Sequence, residues 1–175
     1  MPRFLVSGFG PFGRIEVNPS EAIVRRLNDF ESVVLPVSYR AVDDFVSDCG
    51  LKSGDRWLML GVCANCDRLR IERFARNVLS DQPDVEGEVR GKRKIDESLP
   101  KKVRGALFYR MRLPKGPFVN SESAGDYLCN FLYFAGATRL RGVRVGFLHV
   151  PTFETIAESE QLAAVSSLAS KLKST

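Results

Sequence analysis

Short apolar runs rich in β-branched and aromatic residues alternate along this chain with amphipathic stretches of helical period. No other feature restricts the fold as much. Strands and helices in alternation predict an α/β fold, here a single-domain three-layer α/β/α sandwich over residues 1–175 with a mostly parallel, twisted sheet. Phe4–Gly8 reads as the first strand. Asn18-Pro19-Ser20-Glu21 then opens a helix to about Leu27, with a capping residue, a proline in the first turn and an early acid. Val33–Val37 is a second strand, Ala41–Asp48 a second helix and Arg56–Leu60 a third, buried strand. Residues 67–79 read as extended, and 80–99, polar and broken by Gly and Pro, as a long functional loop. A short helix is favoured over 100–112, a helix over Ala124–Phe134, a core strand ending at His149 and a closing helix over Glu158–Leu172.

The 175 residues are enough to bury a core without disulfides or metals, and 44% apolar with 27% charged residues is ordinary globular composition. No apolar run reaches the length of a membrane span. No leader of charged then apolar residues precedes the first strand, so a cytoplasmic location is the expectation. Four cysteines are too few for a disulfide scaffold. The net charge of +5 raises the question of nucleic acid, but the basic residues are scattered. The one dense patch, Arg90-Gly91-Lys92-Arg93-Lys94 with Lys101, Lys102 and Arg104, reads as a solvated loop. Neither a nucleic-acid nor a membrane partner is expected.

Cys129 and His149, the only histidine, each sit in an apolar strand-or-helix context. An imidazole within hydrogen-bond reach of a thiol can take its proton and generate the reactive thiolate. Taken alone, such a pair is more often a buried thiol and a satisfied core histidine. Glu72, in Arg70-Ile71-Glu72-Arg73-Phe74-Ala75, is a candidate third member, since a carboxylate on the far nitrogen fixes the histidine tautomer. Alone, Glu72 reads as a surface carboxylate paired with Arg73 or Arg76.

Four blocks in order shift that balance. They are Gly8-Phe9-Gly10-Pro11-Phe12-Gly13 with Asn18-Pro19-Ser20; Ile71 to Ala75 with Pro83-Asp84-Val85-Glu86-Gly87; Ser123-Ala124-Gly125 through Tyr127-Leu128-Cys129-Asn130; and Gly146-Phe147-Leu148-His149-Val150-Pro151. Together they resemble the type I pyroglutamyl peptidases (pyrrolidone carboxyl peptidases), cysteine peptidases that remove N-terminal pyroglutamate from peptides. The resemblance implies Cys129 as nucleophile, His149 as base then acid, and Glu72 as its orienting carboxylate. It also implies Phe9, Phe12 and Asn18 as walls of the pyroglutamyl pocket, a peptide as substrate, no cofactor or metal, and a possible homo-oligomer. Two segments depart from the family pattern: Gly61-Val62-Cys63-Ala64-Asn65-Cys66-Asp67-Arg68 and the shortened stretch 98–117. The same triad acting on another N-terminal acyl or lactam group therefore stays open, as does a non-catalytic member of the fold.

Two competing motifs are weaker. Gly8-Phe9-Gly10-Pro11-Phe12-Gly13 satisfies the spacing of a dinucleotide loop, but its helix starts about six residues late and Pro11 removes a donor. The second strand also lacks the acid that would bind a ribose. Cys63-Ala64-Asn65-Cys66 has redox-pair spacing, yet two small residues in a tight turn is the favoured reading, with a disulfide that locks the loop as the alternative. A zinc site lacks further ligands.

Overall fold

The computed structural model describes residues 1–174. Six strands form the central sheet: β1 (Phe4–Phe9), β2 (Glu31–Leu35), β3 (Arg56–Val62), β4 (Leu69–Glu72), β7 (Phe118–Ser121) and β8 (Arg144–Val150), in the order β2-β1-β3-β8-β4-β7. β2, β1, β3 and β8 are mutually parallel, and β4 and β7 are parallel to each other. The β4–β8 pairing is the single antiparallel one in this sheet. β5 (Phe74–Arg76) and β6 (Lys102–Arg104) make a separate antiparallel ribbon.

Two helices cover each face. Phe4, Val6, Leu58, Leu60 and Leu148 pack under α1 (Pro19–Arg26) and α4 (Glu158–Lys173) with Ile23, Val165 and Leu168. Leu5, Phe9, Trp57, Met59, Val145 and Phe147 point the other way, under α2 (Tyr39–Asp48) and α3 (Leu128–Arg139). This is strand alternation with both sides buried, and it gives the expected three-layer α/β/α arrangement.

Two expected elements differ. The stretch 100–112 is not a helix. Lys102–Arg104 pairs with Phe74–Arg76, and the Lys102 and Arg104 cations lie 4.1 and 4.5 Å from the Phe74 ring centroid. The helix expected over Ala124–Phe134 begins at Leu128, four residues after Ala124. Gly125 takes a left-handed φ of 86°, and the Ser121 and Ser123 hydroxyls accept from the N–H groups of Ser123 and Gly125, so a turn replaces the first helical turn.

Candidate active site

The parallel strands end together, and the loop after β1, the start of α3 and the end of β8 meet at that edge, as sites do in open α/β sheets. His149 is the penultimate residue of β8 and faces the α3 side with Phe147. In the antiparallel β4–β8 ladder, Arg70 lies opposite His149 and Glu72 opposite Phe147. Glu72 is therefore the diagonal neighbour of His149 on the same face, a separation of roughly 7–8 Å between backbones that a glutamate spans. Glu72 Oε1 lies 2.8 Å from His149 Nδ1, with Glu72 fully buried and His149 8% exposed.

Cys129 is the second residue of α3 and half-buried. It lies close enough to His149 to help raise that imidazole, whose Nδ1 is committed to Glu72. The opposite ring nitrogen, Nε2, takes no part in the bond to Glu72. Burial opposes charge on His149, but hydrogen bonds to Cys129 and Glu72, with their charge, raise the imidazole to about 9. Because α3 starts at Leu128, Cys129 lies inside the first turn, where the helix dipole favours an anion. A helix starting at Ala124 would put it beyond the first turn, where that effect fades.

Gly61 supplies the room for this arrangement. It pairs with His149 across β3 and β8, and a Cβ there would lie 2.5 Å from Cys129 Sγ and 2.8 Å from the Phe147 ring. The sulfur rests against the bare backbone of β3. Gly61 went unassigned in the sequence because the need for an absent side chain shows only once β3, β8 and α3 are superposed.

A small, largely apolar cavity opens beside the thiol, lined by Phe9, Phe12, Asn18, Val62, Tyr127 and Leu128 among others. The aromatic residues expected at the pocket are there, with Phe9 buried and Phe12 half-buried, its ring 6.4 Å from that of Tyr127. Asn18 is also at the wall, but its amide is largely committed. Oδ1 accepts from Ser20 N and Oγ, capping α1, and Nδ2 donates to Gly10 O. One Nδ2 hydrogen remains for a ligand carbonyl.

The 80–99 loop closes this side of the molecule. Asp84, 7% exposed, accepts from the backbone N–H groups of Tyr39, Glu86 and Glu88. Burial pushes its carboxyl up, but those three bonds outweigh it and hold the group below the usual range. Tyr127 donates to Pro83 O, tying the loop to the start of α3; burial, then Tyr39, Asp84 and Cys129, push its phenol up to about 12. Asn77 organises the far end of the loop through Ile95 N, Asp96 N, Asp96 O and Leu99 O. Asn130, on α3, bonds the backbone of Arg76 and Val78 and so holds the segment after β4 against that helix. Cys63 and Cys66 form a disulfide at the exit of β3, with Cα atoms 5.4 Å apart, so the disulfide alternative replaces the expectation of two small residues in a tight turn. It pins the residues just after Val62 in the pocket wall.

The sequence matches the family model for pyroglutamyl peptidase over residues 2–173. The chain belongs to the pyroglutamyl peptidase family. Among its relatives, the pyrrolidone-carboxylate peptidase of Thermococcus onnurineus (strain NA1) is 31% identical over 166 residues, covering 85% of this chain and 83% of the relative. Two solved pyrrolidone carboxyl peptidases share the fold. That of Thermus thermophilus superposes with a TM-score of 0.80 at 33% identity, covering 93% of this chain and 96% of the other. That of Fervidobacterium islandicum AW-1 gives 0.84 at 27% identity, covering 99% of each chain. In this pyroglutamyl peptidase family member, the Cys129, His149 and Glu72 expected from the sequence are brought to one edge of the sheet.

Proposed function

We infer that this protein removes N-terminal pyroglutamate from peptides, with Cys129 as nucleophile, His149 as proton carrier and Glu72 as the residue that orients it. The observation that carries this reading is the Glu72–His149–Cys129 line at the mouth of an aromatic-walled cavity. A protonated imidazole beside the sulfur favours the thiolate, which attacks the pyroglutamyl carbonyl carbon. The oxyanion faces the N–H groups of the first turn of α3, whose N-cap residue Tyr127 provides no side-chain cap. His149 Nε2–H gives its proton to the departing amine, leaving a thioester on Cys129. The neutral imidazole then takes a proton from water, whose oxygen attacks the thioester and releases pyroglutamate and the thiol. Phe9 and Phe12 flank the flat lactam ring, and the remaining Asn18 N–H donates to its carbonyl.

Hydrolysis of a pyroglutamyl-aminocoumarin by reduced protein tests the reading, with Cys129→Ala and a prolyl analogue lacking the lactam carbonyl as controls. Turnover lost in the variant and absent with the analogue is the expected result. Activity of Cys129→Ala near wild type would refute the nucleophile. No cleavage while Cys129 is rapidly alkylated near neutral pH would assign the triad to another acyl group.

A further inference from the structure

At the opposite end of the sheet a second cavity, of about 660 Å3, lies between residues 106–112 and the last turn of α4. Its volume is in the range of about 300–1,000 Å3 typical of small-molecule sites. Arg144, at its edge, opens β8, so the cavity is separated from His149 by five residues, about 16 Å of strand. It belongs to a different site from the catalytic one.

The walls are built rigidly. Gly146 lets the 106–108 segment lie directly on β8, since a Cβ there would meet Phe108 at 2.7 Å and Leu107 at 2.9 Å. Leu107 N donates to Val145 O, and the Arg73 guanidinium bonds the carbonyls of Phe108 and Met111. Between those two anchors stands Arg110, with a φ of 57°, the only non-glycine residue of positive φ among the described residues. Backbone held in that region by its surroundings is a recurrent feature of ligand clamps.

The lining has two parts. Leu107, Met111 and Leu172 make an apolar floor, and Tyr109, 57% exposed, stands at the rim. Arg110, Arg112, Arg144 and Lys171 surround it, with no carboxylate among the described lining residues. Arg110 lies over the Tyr109 ring at 5.2 Å. An apolar floor gives an inorganic anion nothing to bury, and three guanidinium groups bind an anionic head more strongly than a neutral one. We propose that this cleft binds a small organic anion, a carboxylate, sulfonate or phosphate ester carried on an aromatic or aliphatic body. The body lies on Leu107 and Met111 while the anionic head meets Arg112 and Arg144. One wall of the cleft, residues 106–112, lies in the 98–117 stretch set apart from the family pattern in the sequence.

Fluorescence titration of the whole protein with 8-anilinonaphthalene-1-sulfonate tests this, against N-phenyl-1-naphthylamine, the same body without its charge, and inorganic phosphate. One sulfonate site is expected, at least tenfold tighter than the neutral analogue. It should weaken tenfold or more in Arg112→Gln/Arg144→Gln and be unchanged after iodoacetamide blocks Cys129. Arg112→Gln alone, at an exposed position, should weaken it severalfold with peptide hydrolysis intact. Equal binding of the neutral analogue, affinity within twofold in both variants, or loss on Cys129 alkylation would overturn the proposal. So would phosphate binding as tightly as the sulfonate.

Discussion

His149 carries its proton well above the ordinary imidazole range because Cys129 and Glu72 together outweigh the cost of burying the charge. In the proposed mechanism that proton goes to the leaving amine, so hydrolysis should fall on an alkaline limb near pH 9. Glu72→Gln removes one of the groups that raise the imidazole. Its limb should move to lower pH, with a smaller loss of kcat than Cys129→Ala or His149→Gln; a pH–rate profile of each variant checks this. Gly61 gives a sharper expectation. Its added Cβ would stand 2.5 Å from Sγ, so the sulfur must move by about 1 Å to regain ordinary contact. A displacement of that size costs roughly a hundredfold in rate. Gly61→Ala should therefore lose about that much kcat while its far-ultraviolet dichroism stays native; kcat within threefold of wild type would show that the sulfur does not need that space.

Among the elements, α1 and the loop before it form one unit, because the Asn18 amide joins Ser20 to Gly10 and thereby shapes the loop that carries Phe9 and Phe12. Losing an N-cap of this kind costs about 1 kcal/mol, and burial of the Gly10 carbonyl left behind adds to it. Asn18→Ala should lower stability by about 1–3 kcal/mol in urea unfolding. It should also raise KM more than it lowers kcat, since Asn18 touches the pocket and not the sulfur. Helix α3 shows the same coupling of element to chemistry. Starting it at Leu128 in place of Ala124 puts Cys129 in the first turn, and Gly125 with two serine hydroxyls decides that start.

For the whole molecule, the raised His149 links folding to pH. The unfolded imidazole titrates near 6.5 and the folded one near 9, so between these values the native state holds more protons. Stability from this group is complete below about pH 6.5 and is lost as pH rises through 9, at up to about 1.4 kcal/mol per unit. Urea unfolding at pH 6.5 and 9.5 should show this loss in wild type and a smaller one in His149→Gln. The strand and helix alternation, the cap at Asn18 and four ordered blocks of residues were legible in the sequence, because local periodicity and chemically demanding residues leave a linear trace. From these came the fold class, the family resemblance and the candidate residues Cys129, His149, Glu72, Phe9, Phe12 and Asn18. The rest depends on which residues become neighbours across long stretches of chain. The antiparallel insertion of β4 beside β8 makes Glu72 the diagonal partner of His149, 77 residues away. The commitment of the Asn18 amide, the closeness of Gly61 to Sγ and the Arg73 bonds behind the basic cleft arise in the same way. Such relations follow from strand order and face, which pairing between distant segments decides, so only the tertiary structure shows them.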